Sequence, residues 1–394
     1  MTATALAVKP TPAQIALPAN LSGFVPGAQQ DRAMVTFTCW FKARMRGETV
    51  SQIFRLFGYA GSGKTTLARR LAADLGVTVC YAAYTGKAAL MMEKNGCEGA
   101  CTLHSLLYKA RMLPNGGVRF VINHNSPLSK AGLLVVDEGS MIDERTGRDL
   151  ESFGIPILVL GDPAQLPPVH GTGYFTGKAT PDVMLTEIHR QARDNPIIRF
   201  ATDVREGRSL PYGDFGAVVI DRPGRRSVAD VLLADQLIVG RNATRAAFNA
   251  RIRKHLGRIS PLPAIGDRLV CLRNDPQSGI MNGGLFTVQQ FKSVTVPDTV
   301  GLVVSSEDFS DRKAIPVMAH RACFDGNIAD VPWPILRETQ QFDYGYALTC
   351  HKAQGSQWDH VIAYDESGSF GSAAQSWLYT TITRAASKLT LIRA

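Results

Sequence analysis

The segment Gly58–Thr65, GYAGSGKT, constrains this chain more than any other, because it fits the phosphate-loop pattern GxxxxGK[ST]. A hydrophobic run at 53–57 predicts a buried strand before it, and an amphipathic helix is predicted after it, from Lys64 to Leu75. A glycine-rich loop between a strand and a helix directs backbone N–H groups at an anion. We therefore predict a parallel α/β fold that binds a nucleoside triphosphate at the carboxyl ends of its strands.

The chemistry of the loop suggests a role for each residue type. Lys64 reaches the β- and γ-phosphates, and the Thr65 hydroxyl ligates Mg²⁺. The backbone around the glycines curls so that its N–H groups converge on the phosphates. The other predicted nucleotide-binding residues are Gly58, Ala60, Gly61, Ser62, Gly63 and Thr66.

Two adjacent acids end a hydrophobic strand predicted at 132–137. Like charges side by side are costly unless a cation lies near them. In a phosphate-loop enzyme Asp137 holds Mg²⁺, and Glu138 orients and deprotonates the attacking water. The alternative is a solvated acidic start of a helix. A strand predicted at 155–160 runs into GDPAQLPP, where the uncharged amide of Gln165 is placed to sense the γ-phosphate.

Composition bounds the class of protein. The chain has 394 residues, of which 45% are hydrophobic, so we expect more than one core. Its 43 basic against 34 acidic residues favour a polyanionic partner, although an even spread would serve only solubility. Seven irregularly spaced cysteines favour reduced thiols in a cytoplasm. Cys97, Cys101 and His104 lack a fourth ligand for zinc. No run of 18 apolar residues occurs, so no membrane span is expected.

The pattern of strands and helices indicates two α/β units. Further strands are predicted at 77–83 and 236–240, helices at 194–207 and 242–256, and a strand at 344–349. Two short extended segments around Asn115 predict a β-hairpin. The alternative to a functional hairpin is a surface hairpin that has no function. Short β-type runs lie at 268–272, 285–294, 300–305 and 315–319. The predicted bounds are a disordered tail 1–28, a first domain 29–185 with a hairpin insertion 109–130, a second domain 186–258 plus 339–394, and a β-rich insertion 259–338.

Eight segments in this order resemble the motif series of superfamily-1 helicases, and within it the RecD/Dda-like branch. They are GYAGSGKTT, YTGKAA, TLHSLL, VVDEGSM, GDPAQLPPV, LTEIHRQ, YALTCHKAQGSQWD and LYTTITRA. The resemblance spans about residues 30–394 and implies two RecA-like domains, a hairpin that splits duplex DNA, and an SH3-like β-barrel insertion. Gly139 stands where this family usually has alanine. The adenine motif is weak, and its adenine contact would be Gln30.

The resemblance also implies how the second unit acts. Arg190 and Arg384 would stabilise the charge that builds during phosphoryl transfer, so that ATP joins the two units. Trp358 either stacks on a base or is buried in the core. The residues expected to line a groove for single-stranded DNA are Thr85, Lys87, His104, Pro167, Pro168, Asn242, Thr349, His351, Lys352, Gln354 and Gly355.

These observations predict an ATP-driven motor that moves along single-stranded DNA and unwinds forked duplex. Its 5′ to 3′ polarity rests on the resemblance alone. We expect a cytoplasmic or nucleoid-associated monomer, from a bacterial or phage-infected cell, with replication or recombination proteins as candidate partners. The alternative is a DNA-stimulated ATPase subunit of a recombination exonuclease complex that has no unwinding activity of its own. The hairpin near Asn115 favours the motor.

Overall fold

The computed structural model describes residues 26–73, 75–112, 118–168, 173–177, 180–187, 194–275, 278–309, 312–326 and 328–393. Three sequence predictions fall wholly or mostly outside these ranges. They are the tail 1–28, of which only 26–28 are described, the hairpin tip with Asn115, and Arg190.

The first unit is built on a parallel sheet. Its strands run in the order β3-β2-β6-β7-β1-β8, and every neighbouring pair is parallel, as predicted. Its elements are α1 (Ala28–Met45), β1 (Ile53–Gly58), α2 (Lys64–Ala73), β2 (Val79–Ala83), α3 (Gly86–Lys94), β3 (Cys101–Thr102), α4 (Leu103–Leu107), β4 (Tyr108–Met112), β5 (Val118–Ile122), β6 (Leu133–Asp137), α5 (Glu144–Glu151), β7 (Ile157–Gly161) and β8 (Val183–Leu185).

Two short strands stand apart from this sheet. β4 and β5 pair only with each other, in an antiparallel register that joins Tyr108 to Ile122 and Lys109 to Val121. These are the two arms of the predicted hairpin. The first arm begins at Tyr108, directly after α4, so the hairpin is anchored to the first unit by a five-residue helix.

The rest of the chain forms a second α/β unit with a β-rich segment inside it. Its elements are α6 (Pro196–Arg205), β9 (Gly213–Asp214), β10 (Val218–Asp221), α7 (Val228–Leu232), β11 (Gln236–Val239), α8 (Asn242–His255), β12 (Arg268–Cys271), β13 (Leu285–Lys292), β14 (Thr299–Ser306), β15 (Ile315–His320), α9 (Ala322–Asp325), α10 (Trp333–Glu338), β16 (Phe342–Tyr344), β17 (Ala347–Thr349), α11 (Cys350–Ala353), β18 (Trp358–Tyr364), α12 (Ala374–Ile382) and β19 (Ala385–Ile392).

The second unit has its own parallel sheet, in the order β17-β11-β18-β19-β10, with β9 antiparallel at the edge. The inserted segment is a five-stranded antiparallel sheet, ordered β15-β14-β13-β12-β16. Two predictions were wrong here. The sheet extends past residue 338, because β16 pairs with β12. The single strand predicted at 344–349 is divided, because Gly345 bonds back to Arg268 and the chain then crosses into the other sheet.

The two units meet at the carboxyl ends of their strands. Leu166, which follows β7 of the first unit, is 1% exposed and packs in the same core cluster as Trp377 of the second. Its backbone N–H donates to Thr380 Oγ1 at 2.9 Å, and its carbonyl accepts from Gln354 Nε2 at 3.0 Å. These contacts hold the ends of both parallel sheets against one cleft.

Candidate nucleotide site and nucleic-acid interface

The phosphate loop has the backbone geometry that the motif predicts. Gly61 and Gly63 adopt positive φ angles of 79° and 75°, a region that side chains disfavour. Lys64, the first residue of α2, folds its side chain back over the loop. Its Nζ donates to the carbonyls of Gly58 and Tyr59, at 2.7 and 3.2 Å. The loop is therefore curled around an ammonium group at the start of a helix.

Thr65 and Asp137 lie side by side across this loop. Thr65 Oγ1 donates to Asp137 Oδ2 at 3.0 Å, and Asp137 Oδ1 accepts from the Glu138 N–H at 2.8 Å. A hydroxyl next to a carboxylate is a donor set that suits Mg²⁺, which takes few protein ligands beside water and phosphate oxygens. Within the described ranges no group of three or more His, Cys, Asp or Glu side chains could hold a metal ion. Thr65 and Asp137 would supply two ligands to such an ion and leave its other positions to water and phosphate oxygens.

Glu138 is held in an uncommon conformation and environment. Its φ and ψ of 55° and 42° are left-handed, which costs energy in a residue other than glycine. Burial raises the pKa of its carboxyl to about 7, while the positive charge of Arg384 acts against that rise and the charge of Asp137 adds to it. A carboxylate with a pKa near neutrality suits proton abstraction at physiological pH.

Asp162 and Gln165 extend the site beyond β7. Asp162 is 2% exposed, and burial raises its pKa although Lys64 acts to lower it. The Gln165 Oε1 atom is buried and has no hydrogen-bond partner among the described residues. An unpaired buried acceptor is costly, so a ligand is the natural partner for this amide. It could accept from a water through Oε1 or donate to a phosphate oxygen through Nε2.

Arg384 reaches the same place from the second unit. Its side chain is fixed by three bonds, from Nε to Thr380 O (3.0 Å), from Nη1 to Ser356 O (3.1 Å) and from Nη2 to Thr383 Oγ1 (3.2 Å). It is 6% exposed and lines one cleft of about 220 Å³ together with Thr65, Asp137, Glu138, Gln165 and Gly355. The cleft thus brings together residues of both units that were predicted to be functional from separate sequence motifs.

Several other predicted nucleotide contacts have structural partners. Gln30 is buried, with Nε2 donating to Ser62 O at 3.3 Å and Oε1 accepting from the Gly27 N–H at 3.1 Å. Ser62 Oγ donates to Tyr59 O at 2.7 Å, so it shapes the loop from within. Thr66 is exposed on α2. Gln30 therefore joins the start of α1 to the loop backbone.

Two residues predicted to contact DNA are occupied elsewhere. Lys87 is 5% exposed, forms an ion pair with Asp308 at 2.9 Å, and lies 4.5 Å from the centre of the Trp358 ring. Gln354 is 1% exposed and bonds to Leu166. Both side chains thus join parts of the protein to each other in this structure, and their contact with DNA stays a prediction.

The remaining groove candidates divide into caps and accessible residues. Thr85 and Thr349 cap α3 and α11 by accepting from the N–H groups of Ala88 and Lys352, at 3.2 and 3.3 Å. Burial lowers the pKa of the Lys352 ammonium, and the charge of Arg245 lowers it further. Two other candidates are exposed: His104, whose ring centre lies 4.6 Å from that of Phe120, and Asn242 at the start of α8. Pro167, Pro168 and His351 are half-buried. Gly355 packs against α3.

One residue that contacts the phosphate loop was missed from the sequence. Tyr379, in α12, is 2% exposed, and its hydroxyl bonds both to the phosphate loop and to Asp162. The signal was present, because Tyr379 lies in LYTTITRA five residues before Arg384. A tyrosine in a hydrophobic helix is more simply taken as core.

Comparison with known proteins agrees with these positions. The family model described as an AAA domain matches residues 46–218, and the model of the UvrD-like helicase C-terminal domain matches 344–392. The ATP-dependent RecD2 DNA helicase of Deinococcus radiodurans is 29% identical over 364 residues, which cover 84% of this chain and 45% of that protein. The ATP-dependent DNA helicase dda of phage T4 is 32% identical over 195 residues, 46% of this chain and 43% of that protein. The chain is similar to superfamily-1 helicases of the RecD/Pif1-like kind.

The chain spans less than half the length of those two relatives. Its fold is also similar to a crystal structure of a Bacteroides Pif1 helicase in complex with ADP-AlF3 and single-stranded DNA. The TM-score is 0.56 at 18% identity, over 93% of this chain and 92% of that one. Likeness at this level shows a shared fold alone. Among the described helices, none has the length and apolar character to cross a membrane.

Proposed function

We propose that this chain is an ATP-driven motor that translocates along single-stranded DNA and unwinds forked duplex, in the 5′ to 3′ direction. The observation that supports it best is the shared cleft, in which Arg384 of the second unit lies with Thr65, Asp137 and Glu138 of the first. A cleft that is complete only when two units touch allows nucleotide turnover to move them relative to each other.

In this mechanism the chain's own residues divide the work. Lys64 and Arg384 stabilise the charge on the phosphoryl group as the bond to it breaks. Glu138 accepts the proton of the attacking water, which the Gln165 amide orients. Thr65 and Asp137 would hold Mg²⁺, which neutralises charge on phosphate oxygens. Arg190 would add a second cation, by its motif.

The domain roles follow the same proposal. In this proposal both units are RecA-like domains. The first is 29–185, and the second is 186–258 together with the chain that follows the insertion. The antiparallel sheet would be the SH3-like insertion, with its end moved from 338 to Tyr344 to include β16. The β4–β5 pair would separate the duplex. We further propose that the protein acts as a monomer, with replication or recombination proteins as partners.

The track would lie beside the cleft. Lys352 and His351 belong to α11, and Gly355 follows this helix and lines the cleft. A strand held there would contact both units and favour their closure, so it should stimulate ATP turnover. His104 and Phe120 are exposed and pack edge to face beside the β4–β5 pair, where aromatic rings could contact a base at the fork.

The test combines two assays on the purified chain, with Lys64→Ala as the control that lacks turnover. ATP hydrolysis is measured with and without single-stranded DNA, and strand separation is measured on duplexes with 5′ or 3′ single-stranded tails. We expect strong stimulation and unwinding of the 5′-tailed substrate only. Stimulated hydrolysis without strand separation would instead support the ATPase-subunit alternative. Hydrolysis indifferent to DNA would refute both.

A further inference from the structure

The second unit contacts the phosphate loop itself, at its leading residues. Tyr379 lies on α12 of the second unit, and its hydroxyl accepts from the Ala60 N–H at 2.9 Å. The same hydroxyl donates to Asp162 Oδ2 at 2.7 Å. Tyr379 and Asp162 are each 2% exposed, so both bonds are shielded from water. A tyrosine hydroxyl can donate one bond while accepting another, and here it does both across the boundary between units.

A second contact reaches the neighbouring residue of the loop. The guanidinium of Arg205, at the end of α6, lies 3.7 Å from the centre of the Tyr59 ring. Tyr59 and Ala60 are therefore both held from the second unit. In contrast, Lys64 and Thr65 bond to the carbonyls and the carboxylate of the first unit. The loop thus has two halves. Tyr59 and Ala60 are held by the second unit, whereas Lys64 and Thr65 are the residues proposed to contact the phosphates and Mg²⁺.

We propose that Tyr379 is a positioning residue that transmits closure of the two units to the phosphate loop. This inference rests on the proposed function. When the units separate, Ala60 loses its acceptor and Asp162 loses its donor at once. The leading half of the loop and the segment after β7 that carries Gln165 are then released together. Tyr379 therefore favours the geometry for hydrolysis only in the closed state.

A purely structural role for a buried Tyr–Asp hydrogen bond is the competing explanation, and the chain offers a matched control. Tyr346 is 9% exposed and donates to Asp267 Oδ1 at 2.8 Å, where Asp267 is fully buried. Like Tyr379, it donates to a buried carboxylate, but it has no bond to the phosphate loop. Replacing either tyrosine with phenylalanine removes one hydroxyl and keeps the ring.

The experiment compares Tyr379→Phe and Tyr346→Phe in the full chain. The kcat and KM for ATP are measured without DNA and with saturating oligo-dT, together with the melting temperature. For Tyr379→Phe we expect the DNA-stimulated kcat to fall about tenfold and the DNA-free kcat to fall by less, so that the stimulation ratio drops, because the hydroxyl bridges the two units only when they are closed. For Tyr346→Phe we expect a lower melting temperature and an unchanged stimulation ratio.

If Tyr379→Phe loses activity equally with and without DNA, or loses none, the stimulation ratio is unchanged and the inference is overturned. The proposed function still stands in that case, provided that DNA stimulates the wild type. A wild type that DNA does not stimulate overturns the proposed function, and the coupling with it. If Tyr379→Phe does not fold, Arg205→Ala tests the same link through Tyr59. We expect its stimulated kcat to fall roughly twofold to fivefold, from loss of a cation–π contact, and an unchanged ratio overturns the inference.

Discussion

Gly355→Ala should block closure of the two units while leaving each unit folded. Gly355 follows α11 in the second unit, and a Cβ built on it would lie 2.7 Å from Ala88 Cβ and 2.8 Å from Thr85 Oγ1, both in the first unit. Carbon atoms in ordinary contact are 3.5–4.0 Å apart, so the two surfaces must move apart by roughly 1 Å. Ala88 Cβ cannot rotate away, because it is bonded directly to the helix backbone.

A displacement of this size would move Arg384 away from Glu138, because the two residues line the same cleft from different units. Misplacing a catalytic group by about 1 Å can cost roughly a hundredfold in rate. Gly355 also has a φ of +73°, so alanine adds backbone strain of about 1–2 kcal/mol. Gly257→Ala is the matched control, because Gly257 has the same φ of +73° and a Cβ added to it would meet nothing within 4 Å.

The assay is ATP hydrolysis with saturating single-stranded DNA, alongside ADP affinity and melting temperature. We expect the two variants to lose similar stability, and ADP affinity to be retained because the first unit supplies the loop. Only Gly355→Ala should lose about a hundredfold in kcat. If Gly355→Ala and Gly257→Ala hydrolyse ATP equally fast, the contact between α3 and Gly355 plays no part in the active state, and the closure mechanism is wrong.

Three further predictions concern single side chains. Because burial raises the pKa of Glu138 to about 7 and the base acts when deprotonated, kcat should rise with pH up to about 7 and level off above it, falling about tenfold per unit below. Glu138→Gln should bind ATP and give a low, pH-independent rate; a flat wild-type profile between about pH 5 and about pH 8 contradicts the role. Arg384→Ala should lower kcat at least about 10³-fold with little change in KM. Arg393→Ala removes only an ion pair with Asp365 and should leave kcat unchanged. Equal kcat values in the two variants would refute the role of Arg384. Lys352→Ala should flatten the log–log salt dependence of oligo-dT binding by about 0.7, one phosphate contact. Lys87→Ala should leave the slope unchanged, as fluorescence anisotropy can measure, because Lys87 is paired with Asp308. An equal flattening would show that Lys87 is a strand contact as predicted from the sequence.

The sequence was sufficient where the determinants are local. The phosphate loop, its preceding strand and its following helix are fixed by glycines and by hydrophobic spacing within about 20 residues, and the structure has β1 and α2 at those places. Parallel strands place their carboxyl ends at one edge, so Asp137 and Gln165 could be expected beside the loop. The pairing of β4 with β5 was equally local, because the two strands are close to each other in the sequence.

Tertiary structure alone decided how the distant parts meet. Lys87 pairs with Asp308, more than 200 residues away, and no local pattern around a lysine indicates which carboxylate will bury it. The division of 344–349 between two sheets depends on β12 and β11, which lie elsewhere in the chain. The two bonds of Tyr379 exist only because two separately folded sheets dock. Spacing along the chain determines secondary structure and motif position, whereas charge pairs and contacts between units depend on which surfaces close on each other in space.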